Sequence, residues 1–401
     1  MTRSALGRAA LLLALAAAWS SAAWLLWSSS VVPQLHLPHL DEHAYFSAAL
    51  LRSAESFGRF QDANWVLSTL AELAVLVLYA RYGARFARES AAGRLGTGML
   101  LGMIGFALVW AAQLPFSVAE LWWERRHHLT HVGYLGSVLG NWLALGVQFV
   151  FLCVALAIVM GLARVLRERW WLAGAPAFVG LALLFAFVSP YLISTQPLES
   201  PQLRAAATRL ERVEHVGHVP VVVETVHTVT SLPNAEATGL GPSRRVVLWD
   251  TLVSGFTQRE VTVVIAHELG HLAHDHIWKD VGWYALFAFP GTFLIARLTR
   301  RRGGMAEPLA VPLSLLVLVV LGLLAQPLQN AVSRHMEAEA DWSALQATRD
   351  PAAATALFRR FVPTTLGEPS PSTFDYVMLE NHPTTMQRIA MVQAWRERQR
   401  R

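Results

Sequence analysis

Cysteine is almost absent from this 401-residue chain. Cys153 stands alone, so no disulfide can form within it and cysteine usage says nothing about redox compartment. Lysine is just as scarce, Lys279 being the only one, and all charged residues together make up 15% of the sequence. Soluble domains carry about a quarter charged residues. With 54% hydrophobic residues beside that deficit, an ordinary water-soluble protein is excluded. The net charge of +5 comes almost wholly from arginine, and the arginines gather beside apolar runs. They read as membrane-orientation signals, not as a nucleic-acid surface, and no nucleic-acid partner is expected. Internal repeats and low-complexity segments are also lacking.

What is present is a series of long apolar runs. Seven are read as spans of a bilayer: 9–32, 65–80, 95–114, 142–163, 171–193, 281–298 and 309–325. Tryptophans bracket several of them, as interfacial anchors do. Residues 9–18, preceded by Arg3 and Arg8, resemble the apolar part of a signal peptide. The run continues through Trp27 to Val32, however, a length that favours an uncleaved span. Pro290-Gly291 predicts a kink in the sixth span. Glu72 lies inside the second, and an acid in lipid is read as functional, lining a hydrated cavity. The short flanks on one side hold Arg3, Arg8, Arg81, Arg85, Arg88, Arg94, Arg164, Arg167, Arg169, Arg297, Arg300, Arg301 and Arg302; those opposite hold Arg52, Arg59, Arg125 and Arg126. Positive residues stay inside, so the amino terminus is expected in the cytoplasm and the segment after the fifth span outside.

That polar segment carries His267-Glu268-Leu269-Gly270-His271, an HExxH pattern within a helical run read over 261–277. On a helix the two histidines are one turn apart on one face, where both can bind a single Zn²⁺, and Glu268 sits beside them as a general base toward water. A chance match is the bland alternative, since the chain has 15 histidines. Further on, Ser333-Arg334-His335-Met336-Glu337-Ala338-Glu339-Ala340-Asp341 is rich in helix formers. Glu337 and Asp341 are four apart and share a face, whereas Glu339 points elsewhere. Glu337 is therefore assigned as third zinc ligand, and Asp341 as acceptor for a ligand imidazole N–H. The alternative is a solvated acidic helix; His274, His335 and Glu339 are given that structural reading.

HELGH followed by SRxxExxAD resembles the type I CAAX prenyl protease family of integral-membrane gluzincin zinc metallopeptidases. The resemblance extends to Asn234-Ala235, to the stretch from Gly239 to Leu252, to His276, and to Asn381-His382-Pro383 with Arg388-Ile389. Leu114-Pro115-Phe116-Ser117 and Glu124-Arg125 resemble the family's membrane-domain loop, although the GFN expected after that glutamate is missing. The resemblance implies substrate binding at Asn234 and Ala235, and oxyanion stabilisation or substrate binding by His382 and Arg388. It also implies a chamber walled by transmembrane helices. Eukaryotic family members present their catalytic side to the cytosol, which opposes the arginine count.

The expected architecture is mostly α: a polytopic membrane helix bundle of about seven spans with a small α+β zincin core. Residues 1–195 would form a five-span membrane domain and 196–280 a soluble α+β segment with the HExxH helix. Two further spans would occupy 281–330, and 331–401 a C-terminal segment with the third ligand and His382. Within the soluble part, Ser200-Pro201 starts a helix running to about Val216, followed by strands at 219–226, 236–240 and 244–249. The expected function is a zinc-dependent endopeptidase in a bacterial plasma membrane, one Zn²⁺ per chain, acting on peptide or membrane-protein substrates with its catalytic side outside the cytoplasm. Low lysine with abundant arginine and alanine points to a GC-rich bacterial genome. The competing reading is a non-catalytic membrane scaffold with a structural zinc site. The intact Glu268 argues against it, because a structural site needs no base.

Overall fold

A computed structural model describes residues 3–400 of the chain, the side chains of residues 3–12 and 87–89 excepted. Arg3, Arg8 and Arg88 of the arginine count, and residues 9–12 of the signal-peptide reading of 9–18, lie outside the described side chains. Helices α1 (Arg3–Ser28), α2 (Ala48–Tyr82), α3 (Gly93–Arg126), α4 (Tyr134–Leu166) and α5 (Trp171–Val188) come first. A mixed segment follows: β1 (Thr195–Pro197), α6 (Pro201–Val213), β2 (Val221–Glu224), β3 (Ala235–Thr238), β4 (Arg245–Trp249), α7 (Asp250–Gly255) and α8 (Gln258–Ala273). Then come α9 (His276–Thr299), α10 (Val311–Thr348), α11 (Pro351–Thr365), α12 (Thr373–Met378) and α13 (Thr385–Arg400).

Among the described residues, α2 to α5, α9 and α10 are long and apolar enough to cross a membrane, and Leu13–Ser28 of α1 is a shorter apolar helix. The helical bundle with its small sheet is the architecture the sequence implied. Several local expectations are corrected. The stretch 114–125 is no loop: α3 runs straight through it, with Pro115 inside the helix and Asn64 Nδ2 donating to the Phe116 carbonyl at 3.3 Å. The run 261–277 is not one helix. It breaks at His274-Asp275, where Asp275 adopts a left-handed conformation (φ 55°), and α9 begins at His276. No glycine or proline marks this break, because aspartate tolerates left-handed backbone better than most residues. The helix after Ser200 ends at Val213, not at 216, and β1 had no counterpart in the sequence reading. Both α9 and α10 continue unbroken across positions 280 and 330.

The strands order as β1-β2-β4-β3. β2 and β4 are parallel and the outer two pair antiparallel, leaving β3 at an edge beside α8. α8 is fixed at its start by a capping box: Thr257 N donates to Glu260 Oε2 (2.8 Å) and Glu260 N donates to Thr257 Oγ1. Such a cap contributes about 1 kcal/mol. The rest of α8 is held by burial. Val261, Ile265, Ala266 and Leu269 are fully enclosed in a core shared with Leu248, Leu252, Leu357 and Ile389. α8 and α10 approach closely at Gly270, where an added Cβ would lie 3.3 Å from Ser343 Cβ and 3.4 Å from Ala340 Cα. That close crossing is what brings the HExxH face up to the carboxylates of α10.

Candidate metal centre

His267 and His271 project from α8 as the i, i+4 spacing requires. Their Nε2 atoms face each other at 3.1 Å. Glu337 reaches across from α10, with Oε2 3.1 Å from His267 Nε2 and Oε1 3.5 Å from His271 Nε2. Zinc bonds of about 2.0–2.1 Å in tetrahedral geometry put ligand atoms about 3.3 Å apart, so the three donors suit one ion. A second observation fits the same conclusion: Glu337 Oε2 is buried and has no hydrogen-bond partner. A buried carboxylate oxygen without a donor is costly unless a cation satisfies it. The three residues form the His-His-Glu cluster able to hold a metal ion among the described residues.

Asp341 sits behind His267, its Oδ1 2.9 Å from Nδ1, although the pair falls short of hydrogen-bond alignment. Arg388 grips the same carboxylate in a two-pronged contact, Nε to Oδ2 at 2.7 Å and Nη2 to Oδ1 at 2.6 Å, and its guanidinium stacks over Phe358. The fork of Arg388 is thus committed to Asp341, while the side chain also forms part of the pocket wall. Burial alone would lower the His267 pKa, but contacts with Asp341 and Glu337 outweigh it and raise it to about 10 in the absence of an ion. His382 Nε2 lies 3.2 Å from Glu337 Oε2, so the C-terminal loop does reach the centre. Burial lowers the His382 pKa against the pull of Glu337, which favours the neutral ring at neutral pH.

Beside this cluster is a pocket of about 110 Å³. Glu268, His267 and His382 line one part, Asn234 and Ala235 another, and Leu252, Leu357, Phe358 and Phe361 the apolar remainder. Every residue expected in the site is therefore brought to one place. Others were missed. Glu236 on β3 has its pKa raised by burial and then by the Glu268 charge, which puts it within electrostatic reach of the base. Glu339, read as a solvated helix residue, is 2% exposed and accepts from Val31 N, His276 and Lys279. His335 is no solvated residue either: it stacks flat on Trp27 at 4.2 Å. Their partners lie hundreds of positions away or on another helix, so no local spacing could reveal them.

An HExxH helix crossed by a glutamate helix, beside a membrane bundle, defines the class of gluzincin metallopeptidases. Residues 197–396 match Peptidase family M48, and the chain belongs to that family. The "Uncharacterized metalloprotease YhfN" of Bacillus subtilis is 28% identical over 238 residues, 56% of each chain. "CAAX prenyl protease 1" of Saccharomyces cerevisiae is 34% identical over 122 residues, 30% of this chain and 26% of that one. The chain thus spans about half the length, or less, of these curated relatives. The crystal structure of S. mikatae Ste24p shares the fold, with a TM-score of 0.72 at 19% identity over 94% of this chain and 96% of that one.

Proposed function

We propose that this protein is a membrane-embedded zinc endopeptidase that hydrolyses peptide or membrane-protein substrates. The observation that carries the reading is the convergence of His267, His271 and Glu337, whose buried Oε2 has no hydrogen bond, beside Glu268. His267, His271 and Glu337 would hold one Zn²⁺, with Asp341 and Arg388 bracing His267 from behind. Such an ion would lower the pKa of water to about 7 and polarise a carbonyl. Glu268 takes the proton from the attacking water and passes it to the leaving amine. His382 is suited to donate to the oxyanion that develops, an interaction worth about 3 kcal/mol in comparable sites.

Substrate would lie extended along β3. That strand is an edge of the sheet on the α8 side, and Asn234 and Ala235 at its start border the pocket, so backbone pairing can hold a peptide across the centre. The apolar wall of Leu357, Phe358 and Phe361 suits a hydrophobic side chain next to the cleaved bond. Two relatives are named as metalloprotease and CAAX prenyl protease, which supports a protease and leaves lipidated or membrane-borne peptides as the class to test. We place the protein in a bacterial plasma membrane. The arginine count supports a catalytic side outside the cytoplasm, and protease accessibility of the C-terminal tail in intact cells checks it: a protected tail rejects that side.

The activity test uses full-length protein in detergent with a peptide panel that includes prenylated and unmodified apolar sequences. Cleavage that stops on chelation and returns with Zn²⁺ is the expected result. No cleavage of any peptide by zinc-loaded protein would favour the structural-zinc scaffold.

A further inference from the structure

Glu339 stands two residues past Glu337, on a different face of α10, and is more enclosed than Glu337 itself. Its Oε2 lies 2.9 Å from His276 Nε2, and His276 Nδ1 lies 2.9 Å from His271 Nδ1. This contact exists because the chain turns at Asp275 and brings the first residue of α9 back against α8.

The hydrogen-bond logic of these three groups has one consistent solution. If His271 binds an ion through Nε2, its proton must sit on Nδ1 and needs an acceptor. His276 Nδ1 can accept only when its own proton is on Nε2, and that proton needs an acceptor in turn. Glu339 Oε2 supplies it. The carboxylate therefore fixes the tautomer of two rings in series, as outer-shell carboxylates do for metal-bound histidines.

At the end of α8, His274 Nδ1 lies 3.5 Å from Glu339 Oε1. The remaining contacts come from the chain end after α1 and from α9. Val31 N donates to Oε1 at 2.5 Å, just beyond the end of α1. Lys279, the lone lysine, bridges Glu339 Oε2 (3.2 Å) to the Ser29 carbonyl and Ser30 Oγ, both at 3.0 Å. His335 Nε2 lies 3.1 Å from the Ser30 carbonyl oxygen while its ring stacks on Trp27. α1 is seated on α9 as well, through Leu26 against Trp283 and a Trp19 Nε1 bond to the Leu286 carbonyl.

We propose that Glu339 and His276 are positioning residues for His271, and that the end of α1, docked on Glu339 through Val31, Ser29 and Ser30, completes this support. Retention of the metal then depends on α1 being seated. The proposal rests on the reading of His267, His271 and Glu337 as a metal site, but not on catalysis.

The test measures Zn²⁺ affinity by chelator competition, and the visible spectrum of the Co²⁺-loaded form, for full-length protein in detergent. His276→Phe keeps a planar ring of similar size but removes both nitrogens; His276→Asn returns an acceptor. Val31→Pro removes the N–H that Glu339 accepts from, at a distance from every ligand. His276→Phe should weaken Zn²⁺ binding about 10- to 100-fold and alter the Co²⁺ bands. His276→Asn should recover part of that loss, and Val31→Pro should weaken binding severalfold. In each, the metal-free melting temperature should stay close to that of the unaltered chain. Unchanged affinity and Co²⁺ bands in folded His276→Asn and Val31→Pro overturn the proposal, whether or not His276→Phe folds. If the unaltered chain itself binds neither Zn²⁺ nor Co²⁺, the metal-site reading fails first.

Discussion

Around α8, Val261, Ile265, Ala266 and Leu269 are sealed from solvent, while on α4 Leu135 and Leu143 stand 73% exposed. The two helices use the same kinds of side chain for opposite ends. In the peptidase core, one continuous cluster runs from Leu203 on α6 through Leu248 and Ile265 to Ile389 on α13. In the bundle the buried clusters are smaller, such as Leu101 with Met160 and Trp170, and many large apolar side chains stand exposed. A core folds by hiding apolar area from water; a bundle folds by close packing while lipid covers the remainder. Local hydropathy therefore means burial in one region and exposure in the other. Only the length of the run and the neighbouring charges distinguish them.

That contrast can be broken or sharpened by matched changes in the two regions. The largest effect belongs to the chemistry. Glu268→Gln should lower turnover about 10²- to 10⁴-fold while the metal stays bound. The bundle acid Glu72, changed to Gln, should alter it by less than about tenfold. Peptide cleavage with parallel metal analysis checks both. A Glu72 effect as large as that of Glu268 would move the bundle acid into the machinery.

Packing comes next. Ile265→Ala in the core should destabilise by about 2–5 kcal/mol, whereas Leu143→Ala on the outer face of α4 should stay within about 0.5 kcal/mol, as read by denaturation in detergent. The sign of the contrast reverses when a charge is introduced. Leu143→Arg should raise the cost of membrane integration by about 2.5–3.5 kcal/mol in an insertion assay. Val213→Arg, on an exposed position of α6, should fold and insert normally.

A pH dependence, confined to the metal-free core, adds a further contrast. His267 has a pKa raised from 6.5 to about 10 by Asp341 and Glu337, against the lowering effect of burial. The folded, metal-free chain therefore holds a proton that the unfolded chain releases. The stabilisation is complete below pH 6.5 and fades as pH rises through about 10. Melting of chelator-treated protein across that window should show the decline, and Asp341→Asn should flatten it.

Much of this was legible from the residues. His267, Glu268 and His271 declare themselves by spacing, and Glu337 with Asp341 by sharing a helical face. The capped start at Ser200 and three of the strands follow from turn chemistry and β-branched runs. What stayed hidden depends on tertiary contact. The break at Asp275 carries no glycine or proline, so the period seemed continuous. β1 is three residues long and exists because β2 offers it an edge. Glu339 does point away from Glu337, as its spacing requires. What it points at, His276 and the chain end after α1, is set by the fold and not by any local pattern. The unbroken α3 through Pro115 was hidden too, since a proline within a run ordinarily argues for an end or a kink.

The account stands on two stretches of chain, one on α8 and one on α10, meeting around a single ion. Equilibrium Zn²⁺ binding to the full-length protein and to Glu337→Ala, with stoichiometry by elemental analysis, addresses this most directly. One tightly held Zn²⁺ per chain, weakened at least a hundredfold by Glu337→Ala, is the predicted result. Equal binding by both proteins, or no binding by either, would contradict it.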